Sequence, residues 1–455
     1  MIKFYNSQSR QIEEFTPASP HDIRMYVCGP TVYGPAHIGN ARPALVFDMV
    51  YRLLREVYEP KDPREEHAVT YVRNITDIDD KIIAAANERG VPISQITDTA
   101  TAAYHYDLEQ LNCLEPTMEP RATDYVETML GLIESLILDN HAYEINGEVF
   151  FHVPSNPYPG LANHTALLSG SRVEVDTKKK DARDFVLWKP AKPGEPSWDS
   201  PWGKGRPGWH IECSAMIHQL MGDTIDIHGG GADLRFPHHE AECAQSSCAH
   251  EGRPLARYWL HNGLLTVDGE KMSKSRGNVI LLNELFERYP AESVRYYFML
   301  THYRQEMNFT WEGLEQAHRG LSSLYDVLYT WDELNWAEDT DVPVEFMDML
   351  SRDLGTPAAI AELHRMSGEF AWLEEKSQVK AKLLKAGKLL GIFNHTPHQW
   401  RTLGVDKEAV ESLIAARQEA RRAKNYGEAD RIRQQLTNMG ITLADGVHGT
   451  EWRRT

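Results

Sequence analysis

Apolar and polar positions along the first quarter of the chain follow an order that predicts a parallel β-sheet with crossover helices. Residues 23–27 and 68–72 are short apolar runs typical of strands, whereas residues 44–54 and 79–88 are typical of helices. Strand-like and helix-like segments that alternate in this way indicate an α/β fold. We therefore predict an open, Rossmann-like sheet at the start of the chain.

The same patterning divides the rest of the chain. The α/β pattern resumes late with a strand at 224–228 that runs into three consecutive glycines, and later segments carry apolar residues at the spacing of a helical bundle. In chain order, we predict an α/β domain at 1–118 and 201–259, an inserted subdomain at 119–200, a mixed region with a lysine-rich loop at 260–318, a helical bundle at 319–394 and a small C-terminal domain at 395–455.

Composition narrows the class of protein. With 42% hydrophobic and 25% charged residues over 455 positions, the chain has the make-up of an ordinary soluble protein. Its start lacks the basic-then-apolar order of a signal peptide, and no apolar run approaches the roughly 18 residues that span a membrane. Five scattered cysteines argue against a disulfide framework. We expect a cytoplasmic protein without a membrane partner.

The net charge of −18 disfavours non-specific binding of nucleic acids, which needs a broad basic surface. A local basic face is sufficient for a specific partner, and the C-terminal region offers one. A solvated helix with ion pairs between successive turns is the alternative interpretation. The clustered basic residues are Arg417, Arg421, Arg422, Lys424, Arg431 and Arg433, and the chain ends close to Trp452, Arg453 and Arg454.

Phosphate chemistry is indicated directly after the first predicted strand, in the segment PAHIGN at 35–40. A turn between the first strand of an open α/β sheet and the following helix is where such sheets bind nucleotides. Gly39 allows the backbone to approach a phosphate, and His37 can donate a hydrogen bond to charge that develops there. An ordinary strand–turn–helix with a buried histidine is the alternative.

A lysine-rich loop with the sequence GEKMSKS occupies residues 269–275. Lys271 and Lys274 offer point charges suited to pyrophosphate, and the two serines offer hydroxyl groups. Gly269 and Gly277 bracket the segment and allow it to move. A solvated surface loop is the alternative, and it is the more common identity of short Lys/Ser runs.

Metal ligands are suggested by the run FPHHEAEC at 236–243. If this run is helical, His238 and Glu242 share one face, and His239 and Cys243 share another, so spacing leaves two candidate pairs. Two further cysteines are of interest: Cys28 directly follows the first predicted strand, and Cys213 lies in GWHIECS. Free cysteines are usually small buried apolar residues, which is the alternative to a metal site.

The sequence motifs of other enzyme classes are incomplete or absent in this chain. The segment GKGRPG at 203–208 matches GxGxxG, but no predicted strand precedes it, and we expect Pro207 to interrupt a turn into a helix. No Walker A pattern occurs. The HGGG at 228–231 is not accompanied by a GxSxG nucleophile elbow, which disfavours a serine hydrolase.

Taken together, six segments give the chain a specific resemblance over nearly its whole length. It resembles the cysteinyl-tRNA synthetases, which belong to the class I aminoacyl-tRNA synthetases with their paired HIGH and KMSKS motifs. The segments are YVCGPTVYGPAHIGNAR at 26–42, YVRNITDIDDKI at 71–82, DFVLWKP at 184–190, GRPGWHIECSAM at 205–216, DIHGGGADLRFPHHEAE at 226–242 and KMSKSRGN at 271–278.

The resemblance implies a set of site residues. Zinc, one ion per chain, is expected on Cys28, Cys213, His238 and Glu242. The cysteine pocket is expected to be lined by Thr76, Trp209, His228 and Asp233. ATP, with Mg²⁺, is expected on Pro30, His37, Gly39, Asn40, Lys271 and Lys274, and His37, Asn40 and the two lysines are the expected catalytic residues. The family motif has a second histidine where this chain has Asn40, which offers a neutral hydrogen bond but no charge.

The implied function is ATP-dependent activation of L-cysteine to cysteinyl-adenylate and its transfer to tRNA(Cys), by an enzyme that we expect to be a monomer. The C-terminal domain is then the expected anticodon-recognition domain. Two alternatives stay open: the related ligase that joins cysteine to the amino sugar of mycothiol, and a non-catalytic regulator that binds zinc and a nucleotide. The roughly 140 residues beyond the lysine-loop region favour the tRNA enzyme, since the amino-sugar ligase lacks an anticodon-binding unit.

Overall fold

The computed structural model describes residues 1–60, 67–161, 178–273, 276–369, 376–446 and 449–454. Among these residues, no helix is both long enough and apolar enough to cross a membrane. The chain divides into two compact units. The first unit comprises Met1–Glu284, Phe298–Thr310 and Val344–Ala359, and the second comprises Leu285–Tyr297, Trp311–Pro343 and Ile360–Thr455.

The described residues form strands and helices that alternate in the first half of the chain and are mostly helices in the second. In chain order the strands are β1 (Lys3–Asn6), β2 (Gln11–Glu14), β3 (Ile23–Val27), β4 (Val69–Arg73), β5 (Ala142–Ile145), β6 (Glu148–Phe151), β7 (Phe185–Pro190), β8 (Gly205–Pro207), β9 (Ile225–Gly231), β10 (Ala256–Asn262), β11 (Leu265–Val267), β12 (Glu270–Lys271), β13 (Met307–Phe309), β14 (Ile441–Gly446) and β15 (Gly449–Arg454). The helices are α1 (Ile38–Tyr58), α2 (Asp80–Arg89), α3 (Ile93–Gln110), α4 (Val126–Leu138), α5 (Trp209–Met221), α6 (Glu240–Ala249), α7 (Leu282–Arg288), α8 (Ala291–Met299), α9 (Trp311–Thr330), α10 (Val344–Ser351), α11 (Thr356–Glu369), α12 (Lys376–Leu389), α13 (Pro397–Thr402), α14 (Lys407–Arg422) and α15 (Tyr426–Asn438).

The core of the first unit is a four-stranded parallel sheet in the order β10-β9-β3-β4, so the predicted α/β fold is confirmed. Helix α1 connects β3 to β4, which is its neighbour on one side in the strand order. The chain later returns to form β9, which is the neighbour of β3 on the other side. The strand order therefore reverses between β3 and β9. Open α/β sheets bind ligands at the carboxyl ends of the strands at such a reversal.

The backbone at this reversal is tightly packed. Gly29 follows β3 and lies so close to the carbonyl oxygen of Asn74 that a Cβ atom there would be only 1.6 Å from it. The amide of Gly29 also donates to the side-chain oxygen of Asn74 at 2.9 Å. A glycine is thus required at this position, and the contact fixes the chain directly beside Cys28.

The inserted region forms an antiparallel sheet in the order β5-β6-β7-β8, which extends beyond the predicted end of the insertion at residue 200. Strand β8 lies inside the GKGRPG segment and pairs with β7, so this segment is no nucleotide-binding turn. The expectation that Pro207 separates it from a helix is wrong. Proline ends the strand, Gly208 caps α5, and the helix begins at Trp209.

A small sheet of order β12-β11-β13 carries the lysine loop. The buried guanidinium of Arg42, from α1, donates to the carbonyl oxygens of Leu264 and Gln305 and, at 3.4 Å, to that of Tyr303. Leu264 directly precedes β11, and Tyr303 and Gln305 lie shortly before β13. Arg42 thereby ties α1 to β11, which leads into the lysine loop, and to β13, which pairs with β11.

The second unit is helical, as predicted for the bundle. Trp400 of α13 stacks on Tyr325 of α9 with ring centroids 4.4 Å apart, so α13 packs as part of the bundle. A separate apolar cluster follows it, formed by α14, α15 and the β14–β15 hairpin. Its buried members are Val410, Ile414, Ile432, Leu436 and Ile441.

Candidate active site

A cavity of about 380 Å³ opens in the first unit and includes the carboxyl end of β3 in its wall. Ten of the residues predicted for zinc, cysteine and ATP line this cavity, although they come from segments spread over more than 200 positions. They are Cys28, Pro30, His37, Gly39, Asn40, Thr76, Trp209, Cys213, Asp233 and His238.

Three of the other predicted residues do not line the cavity. Glu242 and His228 are fully buried. Glu242 contacts Cys28 and His238, which line the cavity, and His228 contacts Glu242. Lys271 is exposed in β12. Lys274 lies outside the described residues. The neighbouring Met272 does line the cavity, so the lysine loop reaches its edge.

His37 caps the N-terminus of α1. Its Nδ1 accepts a hydrogen bond from the backbone amide of Gly39 at 3.1 Å, and the side-chain oxygen of Asn40 accepts one from the amide of His37 at 3.1 Å. Because Nδ1 accepts, this hydrogen-bond pattern assigns the ring proton to Nε2 and makes the imidazole a neutral donor. Asn40 therefore completes a capping box, a role that its motif position did not suggest.

Gly39 also has little free space. A Cβ atom at this residue would lie 3.0 Å from the ring of His37 and 3.0 Å from the methyl group of Met272. The start of α1 and the lysine loop are therefore adjacent within the first unit. The loop is closed by Asn278, which accepts from the amide of Ser273 at 2.8 Å and donates to the carbonyl of Lys271 at 3.3 Å.

The four predicted metal ligands converge on one point. The Sγ atoms of Cys28 and Cys213 are 3.6 Å apart, and Sγ of Cys213 is 3.7 Å from Nε2 of His238. Oε1 of Glu242 is 3.5 Å from Sγ of Cys28 and 2.8 Å from Nε2 of His238. All four side chains are buried. These residues form a Cys₂HisGlu group that can hold a metal ion.

A second possible group overlaps the first and consists of Cys28, His228, His239 and Glu242. Three members of the first group line the cavity, whereas Cys28 alone does so among the four members of the second. Nε2 of His228 lies 2.5 Å from Oε2 of Glu242, and Nε2 of His239 lies 3.3 Å from Sγ of Cys28. These two imidazoles therefore contact Glu242 and Cys28, which are ligands of the first group.

His238 is oriented from two sides. Its Nδ1 lies 3.0 Å from Nδ1 of His210, and its ring stacks on Trp209 with centroids 4.3 Å apart. Burial lowers the pKa of His210 to about 3, so His210 is neutral and its nitrogen can accept the Nδ1 proton of His238. This bond leaves Nε2 of His238 turned to the ligand group. Such outer hydrogen bonds orient metal-binding histidines.

The ligands also set each other's ionisation. A hydrogen bond with Cys28 lowers the pKa of Cys213 to about 6 although burial opposes the shift. Burial raises the pKa of Cys28 well above its usual value, and the bond to Cys213 adds to that effect. Burial alone would raise the pKa of Glu242, but His228 and His238 outweigh it and hold that pKa well below its usual range. The group is therefore arranged for a thiolate and a carboxylate, which are anionic ligands.

Several cavity residues were not singled out from sequence. Arg73, at the end of β4, is buried, donates from Nη2 to Oε1 of Glu119 at 2.8 Å, and lies 5.3 Å from the ring centre of Tyr104. Asn74 accepts from Gly29 and donates to Oγ1 of Thr76 at 3.2 Å. The available signal was position within the YVRNITD segment: Arg73 is the last residue of the edge strand β4, and Asn74 follows it.

Comparison with known proteins agrees with this geometry. The family model described as tRNA synthetases class I (C) catalytic domain matches residues 14–319, and the one described as Cysteinyl-tRNA ligase anticodon binding domain matches residues 407–453. A methionyl-tRNA synthetase structure from Mycobacterium tuberculosis shares the fold with a TM-score of 0.53 at 16% identity, covering 81% of this chain and 89% of that one. The catalytic region thus has the fold of a class I aminoacyl-tRNA synthetase.

Sequence relatives narrow the class further. A Cysteine--tRNA ligase from Parvibaculum lavamentivorans is 50% identical over 99% of this chain and 97% of its own. Another from Paramagnetospirillum magneticum is 48% identical over 100% of this chain and 99% of its own. The chain belongs to the cysteinyl-tRNA synthetase family, and the predicted resemblance is confirmed.

Proposed function

We propose that this protein activates L-cysteine with ATP and transfers the cysteinyl group to tRNA(Cys), with a zinc ion that selects the thiol of the substrate. The observation that carries this proposal is the Cys₂HisGlu group, which opens into the same cavity as the N-terminus of α1. One cavity thereby offers ligands for a thiol-binding metal and donors for a phosphate. The family's ATP dependence and the anticodon-binding match of residues 407–453 agree with it.

The donor set fits zinc. Zinc–ligand bonds of about 2.0–2.3 Å in a tetrahedron place neighbouring ligand atoms roughly 3.3–3.8 Å apart. Three separations fall in this range: Cys28–Cys213, Cys28–Glu242 and Cys213–His238 are 3.6, 3.5 and 3.7 Å apart. Nε2 of His238 and Oε1 of Glu242 are 2.8 Å apart, which is the distance of a direct ion pair, so these two atoms would separate on binding one ion. The mixture of thiolates, imidazole and carboxylate also belongs to zinc rather than to Mg²⁺ or Ca²⁺. Mg²⁺ is instead expected to accompany the phosphates of ATP.

A bound zinc ion would accept the substrate sulfur as a thiolate, because a nearby cation lowers the pKa of a thiol. Serine carries a hydroxyl group that is far less acidic and a harder ligand. A site built around a group that its competitor lacks discriminates by roughly 10⁴–10⁵, which makes a separate editing step unnecessary. Trp209, stacked on His238, forms the wall beside this position.

On the nucleotide side, the neutral Nε2–H of His37 donates to the charge that develops on the α-phosphate. The first amides of α1 donate within the protein instead, to Ile280 and to His37. The attacking group is the cysteine carboxylate, and pyrophosphate leaves toward the lysine loop. Lys271 and Lys274 neutralise the leaving group, with Mg²⁺ on the ATP. Asn40 contributes a neutral amide donor, since its oxygen is engaged with the amide of His37.

Transfer to tRNA involves the C-terminal domain. Arg417 is 5% exposed and forms a two-pronged ion pair with Asp445 at 3.0 and 2.8 Å, so it is a structural residue rather than an RNA contact. Arg422, Lys424 and Arg433 are exposed and remain candidates for phosphate contacts. The anticodon-binding match favours the tRNA enzyme over the amino-sugar ligase and over a non-catalytic regulator.

The test is pyrophosphate exchange followed by tRNA charging. We expect cysteine to support ATP–pyrophosphate exchange, and serine to support it with an efficiency lower by at least about 10⁴. We also expect purified tRNA(Cys) to be charged with cysteine. Exchange that serine supports equally well contradicts the zinc-based selection. Exchange without tRNA charging, but with cysteine joined to an amino sugar, favours the mycothiol-type ligase.

A further inference from the structure

A second group of metal-binding side chains lies on the surface of the first unit, where α5 and α6 end. His218 lies in the last turn of α5, Asp223 in the segment that follows, and His250 at the C-terminus of α6. Oδ1 of Asp223 is 3.0 Å from Nδ1 of His218 and 3.5 Å from Nε2 of His250. All three ligand atoms lie within 4.8 Å of one another.

We propose that His218, Asp223 and His250 form a second divalent-metal site for a borderline transition metal, zinc foremost. Zinc–nitrogen and zinc–oxygen bonds of about 2.0–2.2 Å place tetrahedral ligand atoms roughly 3.3–3.5 Å apart, close to the two separations above. Two imidazoles and one carboxylate form a set of three protein ligands. Such a set leaves a position for water, which suits the 43% exposure of the His218 side chain.

The surroundings hold the three ligand atoms close together, and the rings of His218 and His250 stack with centroids 4.7 Å apart and an interplanar angle of 24°. Because a metal ion lies in the plane of each imidazole that binds it, one of the two rings turns when the ion binds. Arg253 contacts Oδ2 of Asp223, which leaves Oδ1 facing the two histidines. The side chain of His250 is 10% exposed, and its Nδ1 has no hydrogen-bond partner among the described residues, so Nε2 makes its polar contact.

The location gives this site a structural role. Helix α5 also carries Cys213, and α6 also carries Glu242, so the two helices that end at the surface group hold two ligands of the cavity group. The two groups share no residue. A metal ion bound at the surface therefore links the C-terminal ends of the helices and stabilises their packing. The alternative is a hydrogen-bonded His–Asp–His cluster that binds no metal.

The experiment is equilibrium dialysis of the full-length protein against micromolar free zinc, with elemental analysis of the bound metal. We expect two equivalents in the wild type and one in His218→Gln and in Asp223→Asn. Cys213→Ser should lose the other equivalent and keep the surface one. His67→Gln is the matched control, because His67 is an exposed histidine paired with one carboxylate, Glu59, at 2.9 Å, and it should retain two equivalents.

A cobalt titration distinguishes the two sites independently of stoichiometry. The cavity group binds through two thiolates and should give the intense thiolate-to-cobalt absorption, whereas the surface group should add only the weak bands of nitrogen and oxygen ligands. Thermal melts check that each variant is folded, and added zinc should raise the melting temperature of the wild type more than that of His218→Gln. A wild type that binds a single equivalent, or a folded His218→Gln that still binds two, overturns the proposal.

Discussion

Nε2 of His228 donates to Oε2 of Glu242 over 2.5 Å, with both side chains fully buried. This bond occupies one carboxylate oxygen and leaves Oε1 for the Cys₂HisGlu group. We predict that His228→Phe, which keeps a ring against Trp259 but removes the donor, weakens zinc binding by about 10- to 100-fold. A chelator competition assay measures the change. Unaltered zinc affinity in a folded variant would show that the bond does not orient Glu242.

Cys213→Ser should lose both bound zinc and cysteine-dependent pyrophosphate exchange, because serine cannot supply a thiolate ligand. Elemental analysis and exchange assays follow the two losses together. The matched control is Cys248→Ser, since Cys248 lies outside the cavity wall and its contact with Oδ1 of Asn156 at 3.5 Å can be replaced by a hydroxyl. An active Cys213→Ser enzyme without zinc contradicts the proposed role of the metal.

Lys274→Ala should slow formation of the adenylate by roughly 10²–10³, as expected for the loss of one preorganised charge. Cysteine affinity should change little, because the lysine addresses pyrophosphate and not the thiol. Single-turnover kinetics separate the two effects. Lys204→Ala, on the inserted region with its side chain 74% exposed, serves as the control. A normal rate combined with weakened cysteine binding argues against this assignment.

Removal of the C-terminal domain should impair tRNA charging and leave cysteine activation nearly intact. We place the cut after Gly404 rather than at residue 395, because a cut at 395 would remove Trp400 from its stack on Tyr325. Charging should also be far more sensitive to salt than pyrophosphate exchange, since it depends on phosphate contacts. Both reactions are measured after a thermal melt confirms folding. Full charging by the truncated enzyme would exclude this domain as the tRNA reader.

The buried carboxyl group of Asp107, on α3, should make the stability of the fold depend on pH. Burial raises the pKa of its carboxyl group to about 6, so the folded state holds the proton more tightly than the unfolded state does. The protonated form therefore stabilises the fold at low pH, and that contribution is lost as the pH rises from about 4 to 6. Asp107→Asn should raise the free energy of unfolding by about 1 kcal/mol at pH 8, discounted for screening, and by much less at pH 4.

Urea denaturation of both proteins at the two pH values measures this difference. Asp98→Asn is a suitable comparison, because Asp98 lies on the same helix with an exposed side chain paired to Arg121. A stability difference for Asp107→Asn that does not change between pH 4 and pH 8 contradicts the sign argued above.

The sequence predicted the α/β fold because its apolar runs and glycine-rich turns are local signals. The choice between the His238–Glu242 and His239–Cys243 faces was not available from spacing. That test assumes a regular helix, but the segment before α6 contains Phe236 at φ −141°, ψ 128°, and its turn is wider than an α-helix. Which face meets Cys28 and Cys213 depends on tertiary packing, and the resemblance was needed to choose.

The roles of Asn40 and Arg42 likewise could not be predicted from the sequence. An asparagine in place of a motif histidine indicates a changed donor, but its use as a helix cap depends on the position of the His37 amide. Arg42 follows two residues later and binds carbonyl groups more than 200 positions away. Such partners carry no side-chain pattern, because backbone carbonyls are the same for every residue type.

The attachment of Arg42 to the carbonyls of Leu264 and Gln305 has a mechanical consequence. One guanidinium joins α1 to the residues that precede β11 and β13, and β11 leads into the lysine loop, so the start of the loop is held beside α1. Gly269 and Gly277, which lie on either side of the KMSKS residues, both have a positive φ, which a glycine adopts without strain. The distance between α1 and the start of the lysine loop is thus set by the fold itself.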